Sequence, residues 1–401
     1  MQKIITGLKI TLTSFKNELK EIFSDGGVLL ILIFAVIAYP IVYSIGYKNN
    51  VLKDIPIGIV DLDNTQGSRI LSRMMNQTEQ IEVYTKSLNL NMAEKEFWDG
   101  NVKGIILIPS GFEKKVLKGE QAIIDIYCDA SYFLIYKETL NAVLKASGTF
   151  SAGVEIKRNM AAGNSFNQAI EKTHPLQTEM YNLYNPSGAY GSYVMPGIII
   201  IILQQTLLVG IGMVGGAGRE NNNEQFIAPG VMLRKGVFSV IMGKGLAYFT
   251  VYIVNIIFTL VWLYHWFDFP SKGSLLAVIM LVIPYLFSVI FLGLATSLLF
   301  KKREYSIIFL VFLSPIVLFL SGLSWPASAL PKFLYAIAHI FPSTLMVPSY
   351  LRVRTMGVTL QDVRFELFFM IAQMILYYLI ACLSFKYFAK KHALKSATSV
   401  K

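Results

Sequence analysis

The chain has 401 residues, 54% hydrophobic and only 15% charged, with a formal net charge of +11. Soluble domains average about 25% charged residues, so this composition excludes an ordinary soluble globular chain and points to a membrane protein. Acidic and basic side chains nearly balance over residues 48–192, which puts the basic excess in pieces that flank apolar runs. Such an excess reads as membrane topology rather than nucleic-acid binding.

In chain order, Ile4, Ile5, Leu8, Leu12, Phe15, Leu19, Ile22 and Phe23 recur at helical spacing. Lys3, Lys9, Lys16, Lys20, Glu18 and Glu21 fill the other faces. The pattern predicts an amphipathic interfacial helix over 1–25. Residues 26–47 are uncharged and long enough to span and stay, so the N-terminus does not read as a cleaved signal. A polar segment over 48–192 follows. It alternates apolar runs starting at Pro56, Ile81, Gly104 and Ala122 with helical patterns over 66–76, 92–98 and 112–117. A long helical stretch over 133–160 comes next, and the alternation predicts an inserted α/β domain with a sheet.

Further uncharged runs predict spans over 194–217, 240–266, 274–299, 306–323 and 366–387. The positive-inside rule sets the orientation. It places four groups on the cytosolic side: the first helix, the loop 219–236 with Arg219 and Arg234, the turn Lys301, Lys302 and Arg303, and a tail over 389–401. The segment 326–350 holds Pro342, Pro348 and His339 and reads as a re-entrant or surface piece on the outer side. The expected architecture is an α-helical polytopic membrane protein of six transmembrane helices, both ends cytosolic, with an extracytoplasmic α/β domain after the first span.

The loop carries Glu220 and Glu224, the only acids between Met180 and Phe267. Phe226, Ile227, Val231, Met232 and Leu233 predict an exposed apolar patch there, which needs a partner or the bilayer to cover it. Gln204 and Gln205 in the middle of span two, Asn255, Ser314, Ser321 and the small pair Gly212 and Gly216 are candidates for a transport path or a helix interface. No span interior is expected to hold an ionisable side chain, which argues against an ion-coupled carrier.

Asp61 and Asp63 close a strand, and a turn with a helix cap explains them better than a metal site. Four His and the two cysteines, Cys128 and Cys382, form no metal-ligand pattern, and no disulfide is expected. The nearest approach to a phosphate-cradling loop, from Gly236 to Gly243 and Lys244, has the wrong spacing. Active transport by this chain would therefore need energy from another one.

Six runs together carry a resemblance: FKNELKEIFSDGG from Phe15 into span one, IGIVDLDNTQGSRIL from Ile57, GIILIPSGFEKKVLKGE from Gly104, RENNNEQFIAP from Arg219, the pair Gly243 and Lys244, and SGLSWPASALPKFLYAIAHIFPSTL from Ser321. In this order the chain resembles the permease subunit of a type-2 ABC exporter, of the subclass with a large extracytoplasmic domain after the first span. The resemblance implies that the loop is a coupling helix docking on an ABC ATPase subunit, through Arg219, Glu220, Glu224, Gln225, Phe226 and Pro229. Ala228 stands where Thr is common, and Asn221, Asn222 and Asn223 replace the usual residues.

The resemblance also implies a second permease subunit, no cofactor in this chain, ATP and magnesium on the partner, and the bacterial cytoplasmic membrane as location. A periplasmic adaptor fits the outer domain, and an apolar path favours an amphiphilic, drug- or lipid-like substrate. A membrane-anchored receptor or assembly protein whose outer domain binds a ligand or partner is the alternative, and it predicts no ATPase partner.

Overall fold

A computed structural model describes residues 2–47, 52–173, 181, 183–185, 189–227, 229–234 and 236–398, with side chains for all of these except 2–4, 224–225, 233–234 and 392–398. The chain divides into a helical unit, Met1–Lys48 with Asn182–Lys401, and an inserted unit, Asn49–Tyr181.

Helix α1, Gln2–Ser24, stops where Asp25 takes extended backbone and caps the next helix. Its Oδ1 accepts from the N–H groups of Gly27 and Val28 at 2.9 and 3.2 Å, meeting two donors that a helix start leaves unpaired. Helix α2, Gly26–Gly46, is the first membrane-length element and contains a π-helical turn, Leu30–Ala35.

The inserted unit is α/β. Strands β1, Ile55–Asp61, β2, Ile81–Ser87, β3, Gly104–Ile108, and β4, Asp125–Cys128, form one sheet in the order β2-β1-β3-β4. β1 pairs in parallel with β2 and β3, while β4 pairs antiparallel with β3. The helices are α3, Gln66–Asn76, α4, Leu90–Trp98, α5, Phe112–Lys118, α6, Phe133–Ala161, and α7, Phe166–Thr173. β1 is a nearly unbroken apolar run because it is covered on both faces. Ile57 and Ile59 pack with Leu71 and Met75 of α3 and Val143 of α6, whereas Val60 packs with Ala93 of α4.

The helical unit resumes with α8, Tyr190–Glu220, the most enclosed of the long helices. A one-turn helix α9, Glu224–Ile227, leads to α10, Val237–Trp266, which has a π-helical turn at Phe258–Trp262. Then come α11, Leu275–Ser297, α12, Arg303–Leu320, α13, Lys332–Ala338, α14, Pro342–Met356, and α15, Arg364–Thr398. Among the described residues six helices are long and apolar enough to cross a membrane: α2, α8, α10, α11, α12 and the stretch Leu360–Lys391. α13 and α14 meet at a bend of 92°, a broken span or a re-entrant loop.

Three boundaries differ from the sequence pattern. α10 begins at Val237 rather than at 240, so Lys244 lies two turns inside it. α14 runs on to Met356 and buries Ser343, Met346 and Tyr350, so this piece is core rather than a surface-lying segment. α15 continues through Thr398, so the expected tail is the end of a helix. Helix propagation adds one hydrogen bond per residue, so basic side chains alone do not stop it.

Candidate functional site

The loop between α8 and α10 is built from its own local chemistry. Asn222 adopts φ 51°, a left-handed conformation that asparagine tolerates well. The turn it makes lets the Asn223 N–H donate to the Gly218 carbonyl at 2.8 Å, closing the end of α8. Asn223 then opens α9, its Oδ1 accepting from the Phe226 N–H at 3.3 Å. The three asparagines are therefore a stop followed by a start. After α9, the Pro229 carbonyl accepts from the Met232 N–H at 2.8 Å and begins the 3-10 turn Gly230–Arg234.

The expected exposed apolar patch is absent from most of this loop. Ile227 and Met232 are buried in the core of the helical unit, and Phe226 is half-buried against it. Val231 remains exposed, and the side chain of Leu233 lies outside the described residues. Phe226, Ile227 and Met232 found partners within their own chain, which a one-dimensional pattern does not reveal. The first stretch of the loop is polar and outward: Glu220, Asn221, Asn222 and Asn223 are exposed. Beside it opens a cleft of about 360 Å³ lined by Glu21, Ser24, Asp25, Asn221, Asn223 and Arg303, with Arg303 3.3 Å from Asp25.

Beneath the loop lies a buried polar joint that the sequence pattern missed. Lys244 Nζ of α10 is 2.5 Å from Glu18 Oε2 of α1, and their side chains are 5% and 2% exposed. The Tyr248 hydroxyl donates to Glu18 Oε1 at 2.8 Å. On its other side the Lys244 ammonium stands 3.9 Å from the centre of the Phe226 ring, a cation–π contact. One carboxylate, one ammonium, one phenol and one ring thus join α1, α9 and α10. α1 approaches α10 this closely because position 243 is glycine: a Cβ there would stand 2.4 Å from the Thr11 carbonyl oxygen.

The expectation that Glu18 faces away from the apolar side, and that no span holds an ionisable group, is corrected here. Glu18 sits three residues after Phe15 and four before Ile22, inside the packed stripe. That spacing, together with a lone lysine after Gly243, was the available signal. The opposite, unpacked side of α1 leaves Ile5, Leu8 and Leu12 exposed.

The remaining candidates of the loop divide by role. The Arg219 guanidinium, half-buried, donates to the Leu298 carbonyl and lies 5.2 Å over the Phe388 ring, tying the end of α8 to α11 and α15. Glu224 and Gln225 belong to α9, but their side chains lie outside the described residues.

Along the helices, Gln204 holds α14 to α8, its Nε2 donating to Ser343 Oγ at 3.0 Å and its Oε1 accepting from the Ser343 N–H at 2.9 Å. Gln205 is buried, and neither polar atom of its amide has a hydrogen-bond partner. Gly212 faces Ser306 and Gly216 faces the backbone of Lys302 and Arg303; added Cβ atoms would stand 2.8 and 2.7 Å away. This small pair packs α8 on α12 of the same chain. Asn255 donates to the Leu32 carbonyl at 2.7 Å, reaching the π-helical turn of α2. Ser314 is half-buried on α12, and Ser321 donates to the Leu318 carbonyl at 2.7 Å. These side chains do not converge on one cavity.

A second buried cation was also missed. Arg354 of α14 donates to the Leu260 carbonyl at 3.0 Å and lies 4.6 Å from the Tyr264 ring centre. Leu260 belongs to the π-helical turn of α10, so a guanidinium meets one of the carbonyls that the irregular turn presents.

In the α/β unit, Asp61 and Asp63 are occupied by turn chemistry. Asp61 accepts from the N–H groups of Asp63 and Asn64 and from the Ser68 hydroxyl at 2.6 Å. Asp63 accepts from the Thr65 hydroxyl at 2.6 Å and the Glu113 N–H at 2.9 Å. Burial raises the Asp63 carboxyl, but bonds from Thr65 and from the backbone of Glu113, Gly111 and Phe112 outweigh it and hold the carboxyl below its ordinary range. Among the described residues no group of three or more His, Cys, Asp or Glu is placed to hold a metal ion.

The family described as ABC-2 family transporter protein matches residues 27–383. No curated protein matches the chain.

Proposed function

The chain belongs to the ABC-2 family of transporter proteins, and we propose that it is the permease of an ATP-driven exporter whose motor acts on the loop 219–236. As a permease of this family it is a multi-pass membrane protein that works with an ABC ATPase subunit. The reading beyond that is ours. The chain exports an amphiphilic, drug- or lipid-like substrate across a bacterial cytoplasmic membrane. Both termini are cytosolic, and a second permease subunit completes the path. The α/β unit lies outside and guides substrate or holds an adaptor, and 326–350 is re-entrant from that side.

One observation supports the coupling role of the loop most directly. Its tip is polar and exposed while its root, Phe226, Ile227 and Met232, is set into the helical unit. A segment with that form takes a force at the tip and delivers it to the spans. The polar cleft beside Asn221 and Asn223 gives the tip a shaped surface.

Purification of the full chain from its own membrane tests the reading. ATPase activity is expected to accompany it and to disappear when 220–225 is replaced by a Gly/Ser stretch of equal length. ATPase activity that stays attached after the replacement overturns the coupling role. Purification without any ATPase supports the receptor reading instead.

A further inference from the structure

We propose that Lys244 is a positioning residue of the transport cycle, passing movement of the loop to α1 through Glu18. The proposal rests on the coupling reading of the loop and adds the route by which its motion leaves it. Lys244 has two contacts pointing in different directions: the Phe226 ring of α9 at 3.9 Å and the Glu18 carboxylate of α1 at 2.5 Å. Among the described residues of the loop, Phe226 is the side chain seated on a charge inside the helical unit. Glu18 in turn has both oxygens engaged, Oε2 by Lys244 and Oε1 by Tyr248.

Burial makes this joint stiff. At an exposed site water would replace any of these partners as the helices moved. Here the ions have no such substitute, so separating them leaves a buried charge unpaired. A displacement of α9 therefore moves Lys244 or breaks the contact, and Lys244 carries α1 with it.

α1 is suited to be the moving part. Its far side exposes Ile5, Leu8 and Leu12, a stripe that slides along a lipid surface without losing specific contacts. It is separated from α2 by the Asp25 cap, where the backbone leaves the helical conformation at φ −107° and ψ 107°. The helix that the joint grips thus ends on a bend leading straight into the first span. α1 is a lever between the loop and α2.

Simple removal of Lys244 leaves Glu18 unpaired and threatens the fold, so the test uses a neutral pair, Glu18→Gln with Lys244→Met, which removes both charges and retains side-chain volume. Spin labels are placed through Lys9→Cys with Leu299→Cys, and through Val231→Cys with Leu299→Cys, on a Cys128→Ala, Cys382→Ala background; all three labelled positions are exposed. The full chain with its ATPase is measured in lipid with and without vanadate-trapped ATP.

In the native pairing both distances are expected to shift on trapping. In the neutral pair the loop distance still shifts and the α1 distance does not, while thermal unfolding matches the native chain. An α1 distance that does not shift in the native pairing, or that still shifts in the neutral pair, overturns the proposal while leaving the coupling reading intact. No loop shift in the native pairing overturns the coupling reading, and the joint with it.

Discussion

Each unit of the chain holds a lysine–glutamate pair that joins residues far apart in sequence, of similar chemistry and opposite setting. Lys244 and Glu18 are 5% and 2% exposed in the helical unit, while Lys53 and Glu79 in the α/β unit are 55% and 63% exposed. The exposed pair is screened by salt and pays side-chain entropy to hold its geometry, so it contributes little. The buried pair is not a large source of stability either, because desolvation offsets most of the attraction. Its effect is conditional: each ion makes the other indispensable. The same two residue types thus give an optional contact at one site and a rigid joint at the other.

The largest expected effect breaks the joint asymmetrically. Lys244→Ala should cost about 3–5 kcal/mol by stranding the Glu18 carboxylate, read as a lower unfolding temperature of the full chain in detergent. The Glu18→Gln, Lys244→Met pair should lie near the native value; equal loss in both would show that charge is not the reason. Next comes Gly243→Ala, which sets a Cβ 2.4 Å from the Thr11 carbonyl oxygen. An overpacked contact of that kind should cost about 1–3 kcal/mol and speed hydrogen exchange across α1. Unchanged exchange in α1 would mean the helix pair has room to spread.

In the α/β unit the effects shrink. Thr65 caps α3, its hydroxyl accepting from the Ser68 N–H while the Thr65 N–H donates to Ser68 Oγ. Thr65→Ala should cost about 1 kcal/mol and raise local hydrogen exchange in Gln66–Asn76 about five-fold.

The acid response of Asp63 is smaller. Its folded carboxyl is held below the ordinary value, so its stabilisation is fully present above about pH 4 and is lost as pH falls through the lower folded value. Exchange over Asp61 to Asn76 in the native chain, taken relative to Asp63→Asn at each pH, should therefore rise on acidification; a flat ratio would remove the carboxylate from the turn's stability. Smallest of all, Lys53→Met should leave the unfolding temperature where it is.

Much of this architecture was legible in order along the chain. Apolar alternation and turn residues located the helix 66–76 and the long helix starting at Phe133, and the structure has Gln66–Asn76 and Phe133–Ala161. The uncharged runs located the membrane-length helices. The loop was legible as a polar interruption. Its apolar residues misled, because Phe226, Ile227 and Met232 satisfy inward packing that the pattern assigned to a partner. Glu18 misled for a related reason: in a stripe of Phe15, Leu19 and Ile22 its charge looked like a boundary of the packed face.

The sequence by itself determined the membrane character, the number of long apolar helices and the α/β insertion, because each follows from local periodicity and composition. Only the tertiary structure decided which polar groups are buried, and against what. Glu18 and Lys244 are 226 residues apart, and nothing in either neighbourhood specifies the other. A helix pattern records which face is apolar, but pairing across the fold depends on how closely two backbones approach, and here that approach rests on a glycine beside the lysine.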